Sequence, residues 1–240
     1  MTRAWKPDTY PFVTSPTNHE LKKEYSKGEL LVDLEYLQNT LEEVHPNLYF
    51  SKSSDFSYEQ LTAIKTDIHG KLTRLEFYSK IAPYVADFGD GHTSVRVPDK
   101  EYANSDAIGN IRFPFNVNCK DGVVTLTSTV LEQFEEYVGR KLLSINGKPI
   151  NRILERMTSM MSGESIHFKY SYLFMLFSKL LFVLGGSARN YLLKVSGDPS
   201  PEELTVPVKW PGLSTQETVF FKVDSSPVFL VFSAALERRA

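Results

Sequence analysis

The sequence predicts an α+β chain in which an N-terminal helical bundle unit is followed by a β-rich domain. Three observations predict it. Between residues 29 and 88, apolar residues recur at spacings of three and four, the period of one helix face. After Val97-Pro98 the pattern changes to short apolar runs around Asp121-Gly122 and Asn146-Gly147, both strong hairpin signals. One long apolar stretch, Tyr170 to Leu184, interrupts the strands and reads as a core helix.

The elements follow in order. Residues 1–28 are polar, with Pro7, Pro11 and Pro16, and read as an extended lead-in. Leu31, Leu34, Leu37, Leu41 and Val44 mark the first helix, which His45-Pro46 should end, because a residue before proline is pushed out of the α region. Ser57-Tyr-Glu-Gln60 has capping-box spacing before Leu61, Ile64 and Ile68, and Gly70 closes that helix. Thr73-Arg-Leu-Glu76 is a second capping box, opening a helix that runs to about Asp87, with Pro83 expected to kink or break it. Ile111 to Asn118 and Val123 to Ser128 form the first hairpin. Gly139 to Ile145 runs into the Asn146-Gly147 turn, and Asn151 is positioned to cap a short helix through Met157. Tyr191 to Val195 and Leu204 to Trp210 are further strands, joined by the Pro-rich turn at Gly197-Asp-Pro-Ser-Pro201. Val228 to Phe232 reads as a buried strand close to the end of the sequence.

Composition excludes some function classes. The formal net charge is −2, without the basic footprint of a nucleic-acid binder. The single cysteine, Cys119, rules out a disulfide framework within the chain and argues against a cysteine zinc site. No histidine pair has the H-x-x-x-H spacing of a metal site, and no cofactor motif is present, so no metal or cofactor is expected. The apolar stretch at 170–184 is shorter than the ~20 residues a spanning helix needs and carries Lys179, so no stable membrane span is expected. The first residues contain no apolar run of signal-peptide length.

One short stretch carries chemistry. Residues 87–94 read Asp-Phe-Gly-Asp-Gly-His-Thr-Ser. Glycines at the end of a rigid helix let the backbone turn sharply and leave His92 accessible, a sensible place for a general base titrating near neutrality. The same letters also suit an ordinary turn. The remaining histidines are plainer: His19 lies in the polar lead-in, His45 at a helix boundary, His69 at a helix C-terminus, and His167 at the start of the apolar helix.

The ordered features resemble the N-terminal half of the tail-specific, or C-terminal-processing, serine peptidases, in the branch of the tricorn core protease and interphotoreceptor retinoid-binding protein. The residues that carry the likeness are Leu34 to Leu41 with Glu-Glu-Val-His-Pro-Asn-Leu-Tyr49, the helix Phe77 to Val85 leading into Asp90-Gly91-His92-Thr93, and Val138 to Ile150 with its Asn-Gly turn. The resemblance covers residues 29 to 210. It implies a helical N-terminal domain at 29–98 ending in the Asp-Gly-His-Thr motif, a PDZ-like domain at 105–210, and at 211–240 a truncated start of an α/β catalytic core otherwise missing. It also implies that His92 is the catalytic base for a serine carried by that core, and that the partner is a peptide or protein substrate, engaged through its C-terminus. The tricorn type has a serine directly before this histidine, where this chain has Gly91, with Thr93 or Ser94 as substitutes.

A serine nucleophile needs a base within reach and an oxyanion hole. Ser187 follows Gly185-Gly186, which reads as a helix C-cap, and Ser233 has only Ala234 to Ala240 after it. Neither fits, so the chain alone is expected not to hydrolyse peptides. The alternative is a non-catalytic PDZ-like module that binds a peptide C-terminus, with its groove beside Lys141 to Ile145. A third reading is a relative that binds an apolar small molecule. The family is often exported, yet nothing in the sequence fixes the compartment or the oligomeric state.

Overall fold

The computed structural model describes residues 23–99, 102, 113–185 and 190–207. The architecture is mixed α+β. The expected strand at 228–232, together with Ser187 and Ser233, lies outside the described residues.

The first half is helical. A two-residue strand β1 (Glu24–Tyr25) precedes α1 (Lys27–Val44), which Ser26 and Glu29 open with a reciprocal capping box. Leu30, Leu34, Leu37 and Leu41 form its buried face, and His45 ends it in an extended conformation, as the following proline requires. Helix α2 (Ser54–Asp67) starts earlier than the sequence suggests, because Ser53 rather than Ser57 accepts the capping bond. Ser57 is instead buried, its hydroxyl paired with the Tyr84 hydroxyl at 2.8 Å. Strand β2 (Leu72–Thr73) pairs with β1, and α3 (Arg74–Ala86) follows from the Thr73–Glu76 capping box. Pro83 does not break α3. It sits in the last turn, where only its own missing N–H bond is lost, and its carbonyl still accepts from Asp87.

The second half is built on two sheets. Strands β3 (Phe115–Lys120) and β4 (Val123–Thr129) form an antiparallel hairpin closed by Asp121 and Gly122, both at positive φ (51° and 78°). A 3-10 helix (Glu132–Tyr137) leads to β5 (Leu142–Ile145) and β6 (Lys148–Pro149), joined by Asn146 and Gly147 in the same left-handed region. Two helices intervene, α4 (Ile150–Ser159) and α5 (Ile166–Gly185), before β7 (Asn190–Val195) and β8 (Glu202–Pro207). The second sheet has the antiparallel order β6-β5-β7-β8. Asn151 is not the cap of α4, since Pro149 holds that position and no side chain caps the helix.

Helix α5 is 20 residues long, four residues earlier in its start than the apolar pattern shows. Ser165 accounts for the difference: its hydroxyl accepts from the Phe168 N–H and its carbonyl from Lys169. By length and composition α5 could cross a membrane. One of its faces, with Leu173, Phe177, Leu180 and Leu181, is nevertheless buried in the core of the second half. Phe174, off that face of the helix, is 59% exposed.

Helix α3 links the two cores. Phe77, Ile81 and Val85 pack with the α1 leucines, while Tyr78 and Ala82 on its other face pack with the strands and α5. Both hydrophobic units therefore fix the axis of α3, and with it the direction in which the chain leaves its C-terminus.

Candidate functional site

The loop after α3 is held from several directions. The Asp87 carboxylate takes two bonds from Lys52 Nζ (2.8 and 2.9 Å) and one from Gln60 (2.9 Å). Ser51 Oγ donates to the Phe88 carbonyl at 2.8 Å. Gly89, at φ 74°, then makes the left-handed turn that a residue with a Cβ would resist. On the far side, Glu164 from the segment before α5 accepts from the Gly91 N–H at 3.3 Å. A Cβ on residue 91 would stand 3.2 Å from that carboxylate oxygen, so the glycine found where the resembled family has serine makes room for Glu164.

Asp90 is the hub. Its Oδ1 accepts from the His92 backbone N–H (2.9 Å) and lies 3.3 Å from His92 Nδ1. Its Oδ2 accepts from Thr93 Oγ1 (2.7 Å) and lies 3.0 Å from His45 Nε2. The Asn47 N–H donates to His45 Nδ1 at 3.1 Å, which leaves the proton of a neutral His45 on Nε2, facing Asp90. Burial pushes the Asp90 carboxyl upward, but the bonds from Thr93, the His92 amide, His45 and the His92 ring outweigh it and hold its pKa at about 2. Asp90 is therefore an anion at neutral pH.

The His92 side chain is 75% exposed. With Nδ1 donating to Asp90, its Nε2 lone pair points away from the anchor and has no partner among the described residues. The arrangement presents an oriented imidazole that can take a proton from a hydroxyl brought to it. Thr93 supports Asp90 rather than the ring, and no serine hydroxyl bonds to His92 among the described residues.

His45 is a helix-boundary residue, as its place before Pro46 suggests, and it also belongs to the site. The hint in the sequence was its place in the His-Pro-Asn-Leu-Tyr stretch. His167 is exposed and lies 3.7 Å from Asp121. Asp90, His92 and Glu164 also form the one group among the described residues whose metal-ligating atoms lie within 4.8 Å of one another. All three already serve the loop's own hydrogen bonds.

The expected peptide groove beside Lys141 to Ile145 is corrected. Strand β5 lies between β6 and β7, so it has no edge to which a peptide could add. Strand β3 pairs only with β4 among the described residues, and its other edge faces α5. Between them lies a cleft of about 240 Å³ lined by Phe113, Phe115, Val117, Val130, Phe174 and Met175, among others.

The described elements are similar in fold to part of CPAF, a chlamydial serine protease. A CPAF mutant with serine replaced by alanine superposes with a TM-score of 0.53 at 17% identity, and mature CPAF complexed with lactacystin with 0.50 at 15%. Each match covers 75% of this chain and 34% of the CPAF chain, so this chain spans about a third of the length of the structures it resembles. No family model and no curated protein matches the chain.

Proposed function

We propose that this chain is the histidine-bearing part of a serine peptidase of the tail-specific type, with His92 as general base and the nucleophilic serine outside the described residues. One observation carries the proposal. His92 is an exposed imidazole whose Nδ1 is anchored on an ionised carboxylate, in a chain similar in fold to part of a serine protease. That is the geometry a base needs to accept a hydroxyl proton at Nε2 and return it to a leaving amine.

A fluorophosphonate probe, which labels only activated serines, tests the reading. A serine should be labelled on the polypeptide that contains this sequence or on one that co-purifies with it. His92→Gln should slow that labelling by about 10²–10⁴-fold, the usual contribution of a positioned base. The side chain is exposed, so the substitution should leave the fold intact, which circular dichroism checks. Absence of any labelled serine, or equal labelling in the variant, overturns the proposal.

The β3 edge and its cleft favour a second reading, in which the β-rich half binds a peptide by strand addition. A peptide ending in an apolar residue should then bind more tightly with a free carboxylate than with an amidated C-terminus in a fluorescence titration. Equal affinity removes carboxylate capture, and absence of binding removes the groove.

A further inference from the structure

A second cleft, of about 420 Å³, opens between the helical unit and the α4–α5 pair. Ala63, Ile64, Pro83 and Ala86 make its apolar lining, and Gln60, Lys80, Asp87, Ser159 and Lys169 supply polar groups. It shares with the His92 site only Asp87 and the Gln60 that bonds to it.

Lys169 differs from the ion-paired lysines of the described residues, among them Lys80 of the same cleft. Lys52, Lys80, Lys179 and Lys194 each pair with a carboxylate, of Asp87, Asp67, Asp99 and Glu203 respectively. Lys169 Nζ makes its one hydrogen bond among the described residues to a neutral acceptor, the Thr158 carbonyl, at 3.2 Å. Its side chain lies along Gly163, where a Cβ would come 3.4 Å from Lys169 Cγ. The amine thus sits half-buried at the wall of a cavity large enough for a small molecule. Burial lowers its affinity for a proton, and the charge of Asp87 opposes that only in part.

We propose that Lys169 is a nucleophilic amine whose cleft admits small aldehydes and binds them covalently as a Schiff base. The neutral amine attacks the carbonyl carbon, forming a C–N bond while the carbonyl oxygen takes up a proton. The carbinolamine then loses that oxygen as water, the nitrogen gives up its second proton, and a C=N bond remains. Nothing is oxidised or reduced. Protonation of the imine restores a positive charge close to Asp87, whose carboxylate Lys52 and Gln60 hold in place. The apolar lining suits an aldehyde with a hydrocarbon body. The assignment stands apart from the peptidase reading and survives its failure.

The test is labelling with benzaldehyde near neutral pH, trapped by cyanoborohydride and mapped by peptide mass spectrometry. Lys169 should be modified several-fold faster than the exposed Lys120 and Lys148. The preference should vanish in urea, and Lys169→Arg should remove the fast component. Modification of Lys169 no faster than the exposed lysines, or a preference that survives unfolding, overturns the proposal. A chain that is not modified at Lys169 at all does the same.

Discussion

Phe177→Ala is expected to destabilise the chain by about 3–5 kcal/mol, the range for removing a large aromatic side chain from a packed core. Phe177 is 2% exposed and lies on the inner face of α5. Its ring centroid is 5.2 Å from that of Phe113, which in turn packs at a tilt against Phe115 at 6.0 Å and edge-to-face against Tyr191 at 5.5 Å. The substitution therefore opens a hole where the helix, the β3 hairpin and the second sheet meet. Few neighbours can move in, because Leu173 and Leu180 on either side are fully buried and already packed. Urea unfolding followed by circular dichroism measures the loss. Phe174→Ala, one turn away on the exposed face, is the control and should change stability by less than about 0.5 kcal/mol. Equal losses for the two would mean that α5 does not bury the face described.

Asp90→Ala is expected to cost about 1–3 kcal/mol near neutral pH, and the cost should shrink in acid. Four donors lose their acceptor at once: His45 Nε2, Thr93 Oγ1, the His92 N–H and His92 Nδ1. The His45 side chain is only 14% exposed, so water replaces its lost partner poorly. The pH dependence follows from the carboxyl. Its pKa is about 2 in the folded chain, against about 3.9 for an unperturbed aspartate. A folded-state value below the unfolded one means that the ionised form stabilises the fold. That contribution is complete above about pH 5 and is lost as the pH falls through about 4 toward 2. The stability difference between the parent and Asp90→Ala, from urea curves at several pH values, should narrow over that window. A difference that stays constant in acid would show that the Asp90 charge does not hold the loop.

The fold was legible where the signal is local. The Thr73–Glu76 capping box, the Asp-Gly and Asn-Gly turns and the proline stop after His45 all depend on residues a few positions apart. The sequence misleads where two candidates compete locally and tertiary contact decides. Ser57 has perfect capping spacing, yet it faces Tyr84 in the interior, and Ser53 takes the cap. Strand order is not written in any one strand, so the groove expected beside Lys141 to Ile145 falls at a strand that has neighbours on both sides. The site was half legible. Asp90-Gly-His92 could be picked out as a turn presenting a base, but its supports come from His45, Lys52 and Glu164, which no spacing rule connects to it.

The bond between His45 and Asp90 ties the last turn of α1 to a loop 45 residues further along the chain. His45 is at once the residue that closes the helix, through its N–H to the Leu41 carbonyl, and the one that grips the carboxylate behind His92. Fraying of α1 and loosening of the loop are therefore one event rather than two. The amides of both segments are expected to open as one cooperative unit, so hydrogen exchange at the end of α1 should report how long His92 stays aimed.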